Sequence, residues 1–401
     1  VLFRSYQKTI YNKIHPCTSI LGTEGIMLSI EQIYTSDKAA VKRFLKLPYR
    51  IYEDVQQWVP TPRVDVKMML DRNKHPFYEH STADFFLVQR DGRAVGRIAV
   101  MENQPFNEYH STKTAQFYLF ECENDPEAAQ ALFNRAFDWA RDRGLDTMIG
   151  PKGFGPLDGY GILVEGFDNR RVMSMSKYNL PYYSDLLTAL GFEKEVDFVS
   201  RHLDATVFQL PERVHRIAER VKERRSFNVR TFSSKRELRR WADRLGDAYN
   251  GAFVDNWEYY PLTQNEIDYV VDNIITVADP RLIKVITHGE DIVGFLFGFP
   301  DVSAALKRAE GRLMPWNIAD LLLEMRRTKV LALNGAGILP EYHGIGGNAM
   351  LYAEMYNTIN DYDFDEAILV QIAETAEQMR SDLNNVGAKP YQNHRVYRRA
   401  L

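Results

Sequence analysis

The chain has 401 residues, a formal net charge of −4 and an apolar fraction of 45%. This length is sufficient for two domains with substantial cores, and the small net charge does not favour a polyanionic partner. Cys17 and Cys122 provide neither a disulfide framework nor the spacing of metal ligands, which is typical of a reducing cytoplasm. No apolar run is long enough to span a bilayer.

Residues 1–26 differ in pattern from the rest of the chain. The segment VLFRSYQKTIYNKIHPC has no apolar stretch after its charges, so it does not have the form of a signal peptide. We expect residues 1–26 to be a loose arm or a translated upstream stretch. A peripheral helix is the alternative, and the domain-like pattern begins near Met27.

The first half is predicted to alternate strands and helices. Asp91-Gly92 predicts a hairpin within residues 85–100, and Asp125-Pro126 predicts the N-cap and first residue of a helix that continues to Arg143. The other predicted elements are a strand and a helix (38–46) within 30–60, strands at 116–122 and 146–150, a Gly/Pro-rich loop at 151–166, a helix at 182–190 and a closing strand at 196–203.

The second half is predicted to repeat this order after a charged helix at 210–225. Its predicted elements are a strand at 227–232, helices at 235–249 and 262–274 around an aromatic loop, a hairpin at 282–299, strands at 328–339 and 366–372, a helix at 373–386 and a final strand at 394–400. A repeat at a spacing of about 200 residues indicates duplicated domains rather than a solenoid.

One glycine-rich turn is the clearest ligand-binding signal. The segment LALNGAGILPEYHGIGGNAML at 331–351 predicts a strand that Pro340 ends, a turn, and a helix. Free N–H groups at a helix N-terminus bind phosphate, and glycine lets a ligand approach the backbone. We expect a Cβ at Gly346 to occupy the space of phosphate oxygens. A tight turn whose glycines serve packing alone is the alternative.

The turn resembles the acyl-CoA pyrophosphate loop of the GNAT superfamily of N-acyltransferases, written Q/R-x-x-G-x-G/A. His343 then takes the Q/R position, Gly346 the first glycine and Asn348 the last small residue; a register from Glu341 would use Gly344 and Gly346 instead. The resemblance implies that acetyl-CoA or a long-chain acyl-CoA binds at His343, Gly344, Ile345, Gly346, Gly347 and Asn348, and that a backbone N–H near Ile338 and Leu339 meets the oxyanion.

The resemblance also implies the fold. It is an α/β fold of two tandem GNAT-like domains, each with a mixed, mostly antiparallel sheet flanked by helices. We expect these domains at 27–204 and 227–401, joined by a linker helix at 205–226. The chain resembles a group of bacterial tandem-GNAT proteins, which bacterial ceramide synthases also resemble. The segments that carry this resemblance are GRIAV, YNLPYY, YNGAFVDNWEYYPLT and HRVYRRAL.

The two halves differ at the expected phosphate loop. In the first half, residues 121–127 read ECENDPE, so carboxylates and a proline replace the N–H groups that a diphosphate needs. We therefore expect acyl-CoA to bind only the second half. No metal site is expected.

Three residues are candidates for proton transfer in the second half. Glu374 follows a strand that should flank the acyl cleft, which makes it the candidate base; a solvated Glu at a helix start is the alternative. Leu383 occupies the position where GNAT enzymes often have a tyrosine that acts as the general acid. Tyr391 or Tyr397 could act as the general acid in its place. The alternative is that these two tyrosines only pack in the core.

The acceptor site is predicted from loops of both halves. Asp158, with Glu165, is a candidate to hold an amine by charge, unless the loop 150–158 is only structural. Asn256, Trp257 and Tyr260 either line an apolar acyl or acceptor channel or pack in the core. Basic residues at 213–240 fit the CoA 3′-phosphate, an acyl-carrier protein or an anionic membrane, or else form a solvated helix. No motif supports nucleic-acid binding.

Together these features predict an acyl-CoA-dependent N-acyltransferase acting on a small-molecule or lipid amine. The alternative is a non-catalytic acyl-CoA- or partner-binding protein on the same scaffold. We expect the protein in the cytoplasm or at the periphery of the inner membrane.

Overall fold

The computed structural model describes residues 18–21, 27–156, 158–173, 175–254, 256–257 and 259–401. The expected arm at 1–26 lies outside these residues except for 18–21, which form a strand. Among the described residues, no helix is both long and apolar enough to cross a membrane.

The elements follow the predicted alternation closely. Within the described residues the strands are β1 Thr18–Leu21, β2 Met27–Gln32, β3 Thr82–Arg90, β4 Arg93–Glu102, β5 Thr114–Cys122, β6 Thr147–Gly150, β7 Ile162–Glu165, β8 Glu193–Asp204, β9 Phe227–Arg230, β10 Ile283–His288, β11 Asp291–Pro300, β12 Val330–Ile338, β13 Glu366–Ala373 and β14 Lys389–Ala400. The α-helices are α1 Lys38–Ile51, α2 Arg63–Leu70, α3 Gln104–His110, α4 Pro126–Arg141, α5 Tyr183–Ala189, α6 Glu212–Arg225, α7 Lys235–Arg240, α8 Ala242–Ala252, α9 Gln264–Val277, α10 Ser303–Arg308, α11 Pro315–Arg327, α12 Gly347–Asp361 and α13 Glu377–Asn385.

Local sequence signals account for several of these elements. The Asp91-Gly92 hairpin is confirmed, since β3 and β4 pair as far as Arg90 and Arg93 and both turn residues have positive φ. Asp125 caps α4 by accepting a hydrogen bond from the Ala128 N–H at 3.1 Å. The single helix predicted at 235–249 is wrong, because the chain breaks at Trp241 into α7 and α8.

All described strands belong to one sheet. Along the sheet the order is β1-β2-β3-β4-β5-β6-β14-β8-β13-β12-β11-β10-β9, with β7 beside β14. The β5–β6 and β12–β13 pairs are parallel and the other pairs are antiparallel. The predicted fold class, a mixed and mostly antiparallel sheet with flanking helices, is confirmed.

The two halves exchange their closing strands in the middle of this sheet. β8 ends the first half but pairs with β13 of the second half, from Glu366–Asp204 to Ala373–Phe198. β14 ends the second half but pairs with β6 of the first, with Tyr397 opposite Gly150. Each half therefore contains a strand that completes the sheet of the other.

Helices cover both faces of the second half. Phe295 and Phe297 of β11 join a cluster with Leu245 of α8, whereas Leu296 joins a cluster with Val221 of α6 and residues of α12. Successive side chains of a strand point to opposite faces, so α8 and α9 lie on one face and α6 and α12 on the other. This arrangement positions the site described next.

Candidate functional site

A cleft opens where β12 and β13 diverge. Their parallel pairing extends only from Val330–Glu366 to Leu333–Leu369, although both strands continue further. Gly335 and Gln371 have positive φ values of 98° and 57° just beyond this point, and both strands shift register against their outer neighbours. Such irregularities bend a strand and end its pairing, so they account for the divergence.

The backbone near the end of β12 faces this cleft at Ile338. The Leu339 N–H donates to the Val293 carbonyl of β11 at 3.0 Å. Because antiparallel pairs alternate, the N–H and carbonyl of the preceding residue, Ile338, point away from β11 towards the cleft. The Ile338 carbonyl lies 2.8 Å from His343 Nε2. Thus Ile338 offers an N–H to the cleft, while the expectation that Leu339 does so is wrong.

The glycine-rich turn leads into α12 at the mouth of the cleft. Gly344 and Gly346 have φ values of 73° and 91°, which L side chains rarely adopt. Gly346 is the N-cap residue and provides no side-chain hydrogen bond to the first turn. The N-terminus of α12 therefore combines its positive dipole end with main-chain donors, the arrangement that suits an anion.

Gly346 serves a packing role that the sequence did not reveal. A Cβ at Gly346 would lie 2.8 Å from side-chain atoms of both Ile217 and Val221 on α6. We expected this Cβ to occupy the space of phosphate oxygens. That expectation is wrong, because the Cβ would point towards α6 instead. A Cβ at Gly344 would meet nothing within 4 Å. Gly344 is thus the position where the turn is open.

A cavity of about 1440 Å³ passes through the cleft. It is lined at its mouth by the glycine turn and Arg213, in the middle by residues 334–338 and 370–373, and beyond them by apolar side chains of α8 and α9. Of the predicted site residues, it contains Ile338, His343, Gly344, Gly346, Gly347, Asn348 and Asn256. Ile345 instead packs against the apolar cluster of α6 and α12.

Glu374 is held outside this cavity, although Ala373 and Thr375 line it. Its carboxylate accepts hydrogen bonds from Lys194 Nζ at 2.7 Å and from the Asp197 N–H at 3.0 Å. Both partners belong to β8, so Glu374 fastens the exchanged strand to the end of β13. This geometry does not support Glu374 as the base.

The two candidate tyrosines also lie away from the cavity. The Tyr391 hydroxyl donates to the Arg170 carbonyl at 2.9 Å, and burial raises its pKa to about 12. Tyr397 is buried in the core of the first half, with its hydroxyl 2.7 Å from Ser184 Oγ. Packing, the alternative considered for both residues, matches these contacts.

The predicted acceptor residues are only partly brought together. Asp158 accepts hydrogen bonds from the N–H groups of Phe154 and Gly155 at 2.7 and 3.1 Å, so it shapes its own loop. Trp257 donates to Glu195 at 3.0 Å, and the buried Tyr260 hydroxyl donates to Glu266 at 3.1 Å. Among these four predicted residues only Asn256 lines the large cavity.

Tyr352 of α12 is a cavity residue that sequence reasoning missed. Its hydroxyl is buried, and it lines both the large cavity and an adjoining apolar pocket of about 80 Å³. Burial, followed by the negative charge of Asp382, raises the pKa of Tyr352 above its ordinary value. The sequence signal for Tyr352 was weak. It lies in the helix that follows the glycine turn, but not on the buried face formed by Met350, Leu351 and Met355.

The corresponding cleft of the first half is largely occupied by its own side chains, and a pocket of about 80 Å³ remains there. β5 and β6 pair only from Thr114–Thr147 to Gln116–Ile149. Beyond that point Glu121 accepts hydrogen bonds from the hydroxyls of Tyr52 and Tyr183 at 2.6 and 2.8 Å, and burial raises the pKa of Glu121. At the N-terminus of α4, the Asp125 carboxylate already lies where a bound anion would lie. It accepts hydrogen bonds from the Ala128 N–H and from Arg90.

Comparison with known proteins gives two relatives over nearly the whole chain. The chain is 26% identical over 373 residues to a bacterial ceramide synthase of Caulobacter vibrioides, covering 90% of this chain and 95% of the relative. It is 23% identical over 398 residues to protein YghO of Escherichia coli, covering 96% and 97%. No protein-family model matches the chain.

Solved structures show the same architecture. A tandem GNAT protein from the clavulanic acid biosynthesis pathway superposes with a TM-score of 0.54 at 13% identity, covering 93% of this chain and 98% of that structure. A GCN5-related glucosamine N-acetyltransferase region of a fungal β-N-acetylglucosaminidase also has a TM-score of 0.54, at 12% identity, and covers 96% of this chain and 38% of that protein. We conclude that this chain has the tandem GNAT fold that its sequence resemblance implies.

Proposed function

We propose that the protein is an acyl-CoA-dependent N-acyltransferase that works from the cleft of its second half. The observation that carries the proposal is the coincidence of three features in one place. These are the divergence of β12 and β13, the N–H of Ile338 directed into it, and the glycine turn that starts α12 at its mouth.

The diphosphate of the acyl donor is proposed to bind at the N-terminus of α12. Gly344, Gly346, Gly347 and Asn348 line the cavity there, and Arg213 of α6 adds a positive charge at the same mouth. An anion at this end is stabilised by the helix dipole and main-chain donors. The small size of the first-half pocket and the acids of the first half favour a single donor site.

Acyl transfer in this cleft needs few groups. The amine nitrogen attacks the thioester carbonyl, the C–N bond forms, and the oxygen becomes an oxyanion that the Ile338 N–H would stabilise. The C–S bond then breaks, and the leaving thiolate takes a proton. We propose Tyr352 as the donor of that proton, because it lines the cavity and a tyrosine hydroxyl is protonated at neutral pH. Solvent in the cavity would accept the proton from the amine.

The lining of the cavity favours an acyl group or an amine with a long apolar part. Beyond the strands, the wall is formed by apolar residues of α8, α9 and β11, including Leu245, Ile267, Ile274 and Phe297. The similarity to a protein named bacterial ceramide synthase supports a lipid amine as acceptor. Acetyl-CoA and a small amine, or an acyl-carrier protein as donor, are the other combinations to test.

One observation favours a second candidate function, a non-catalytic acyl-CoA-binding protein. The three residues first considered for proton transfer all make structural hydrogen bonds outside the cavity. Free thiol release separates the candidates: the purified protein receives acyl-CoA donors of increasing chain length with a panel of amines, and mass spectrometry identifies the N-acylated product. Tight acyl-CoA binding without thiol release or product would establish the second candidate instead.

A further inference from the structure

Helix α11 carries its apolar side chains on the outside of the molecule. Trp316 is 66% exposed, Ile318 45%, Leu322 49% and Leu323 40%. The two residues just before the helix, Leu313 and Met314, are 37% and 45% exposed. Single exposed apolar residues are ordinary, but these six all lie within residues 313–323, and exposed apolar patches mark sites of interaction.

The polar side chains of α11 do not cover this face. Asp320 and Glu324 both form ion pairs with Arg308 of α10, with Arg308 Nη2 to Asp320 Oδ1 at 3.0 Å. The Arg308 guanidinium lowers the pKa of Asp320, as expected for a carboxylate held in a pair. Two exposed cations, Arg326 and Arg327, follow the apolar residues at the C-terminal end. The exposed face is therefore apolar with a basic end.

The inner side of the same helix belongs to the core that forms part of the cavity wall. Leu321 and Met325 pack against the cluster that includes Leu245 and Phe295, and Ile274 of α9 packs against the same cluster. Those three residues also line the large cavity on the α8 and α9 face of the sheet. The inner side of α11 therefore adjoins the apolar cluster that supplies part of the cavity wall.

We propose that residues 313–327 form a membrane-docking surface whose apolar face enters the interface of an anionic lipid bilayer. A helix with Trp and Leu on one face and cations at its edge has the composition of an interfacial helix, and anionic lipids attract exposed Arg side chains. At thirteen residues α11 lies on a bilayer rather than spanning it. A protein docked in this way could take an apolar substrate from the bilayer into its cavity. This last step alone rests on the proposed function.

The test measures cosedimentation of the full chain with vesicles of phosphatidylcholine, with and without phosphatidylglycerol. The parent is expected to bind the anionic vesicles and to dissociate as salt is raised. The double variant Trp316→Gln/Leu323→Gln should lose about tenfold or more in binding, because two apolar anchors are removed. Arg326→Gln/Arg327→Gln should weaken binding to anionic vesicles and leave binding to neutral vesicles unchanged.

A matched control replaces exposed apolar residues elsewhere. Val207 and Tyr34 are 76% and 57% exposed, and Val207→Gln/Tyr34→Gln should bind vesicles like the parent. No cosedimentation of the parent at low salt, or equal binding by the α11 and control variants, would overturn the proposal. Dimerisation that Trp316→Gln/Leu323→Gln abolishes, without vesicle binding, would assign the face to a second copy and also overturn it. Thiol release with soluble substrates should not change in the α11 variants, so vesicle binding and catalysis can fail separately.

Discussion

The carboxylate of Glu374 accepts a hydrogen bond from the ammonium group of Lys194 at 2.7 Å, outside the cavity that Ala373 and Thr375 line. A residue bound in this way fastens two strands and does not contact a reacting amine. We therefore expect Glu374→Gln to leave kcat within about twofold of the parent. The partly exposed pair should contribute at most about 1 kcal/mol to stability. Steady-state thiol release and a thermal melt check both values, and a large fall in kcat with an unchanged melt would restore Glu374 as base.

Tyr352→Phe tests the proposed acid. Loss of the hydroxyl should lower kcat by about tenfold to a hundredfold with little change in donor affinity, because the proton is transferred in the transition state. Tyr391→Phe and Tyr397→Phe are matched controls, since each removes a hydroxyl that lies outside the cavity, and both should retain the parent kcat. If the three variants behave alike, Tyr352 has no role in proton transfer.

Gly344 is the position at which charge in the turn can be tested. Asp and Asn have nearly the same shape and both tolerate positive φ, and a Cβ at Gly344 would meet nothing within 4 Å. Gly344→Asp should therefore weaken acyl-CoA binding by about tenfold more than Gly344→Asn, through repulsion of the diphosphate at the helix N-terminus. Calorimetric titration with CoA gives the ratio, and the two melting temperatures should agree. Equal affinities would remove the diphosphate from this turn.

Gly346→Ala is expected to act on stability. Its Cβ would lie 2.8 Å from Ile217 and Val221, and the φ of 91° strains any L residue, so we expect a loss of about 1–3 kcal/mol. Val221→Ala should restore part of that loss in the double variant because it makes room on α6. Urea unfolding of both single variants and the double variant measures the coupling. Strictly additive effects would show that Val221 does not crowd this position.

The pH dependence of stability should include a contribution from His394. It is fully buried, and desolvation lowers its pKa from 6.5 to about 4, helped by the nearby positive charges of Arg171 and Lys177. Between these values the unfolded chain binds a proton that the folded chain does not, so this contribution is present above pH 6.5 and is lost as pH falls towards 4. The difference in unfolding free energy between the parent and His394→Gln should thus be smaller at pH 5 than at pH 7.

Local patterns predicted the parts of the fold that depend on neighbouring residues. Asp91-Gly92 and Asp125-Pro126 produced the expected hairpin and helix start because turns and caps are formed within a few residues. The glycine turn was recognised for the same reason. The contacts of Gly346 with α6 and of Glu374 with Lys194 join segments far apart in the sequence, and no periodicity reports them. The roles inferred for these residues therefore changed once their partners were known.

The exchange of β8 and β14 has a consequence for how the chain folds during synthesis. β6 receives its neighbour β14 only after the whole second half has been made, since Thr147 pairs with Ala400. Domains usually fold from the N-terminal one first, but here the first half leaves the ribosome with one edge of its sheet unpaired. Pairings this distant in sequence slow folding, and an open edge invites association with other chains. Nascent chains of this protein are thus expected to need chaperone protection until β14 emerges, after which both halves become stable in a single step.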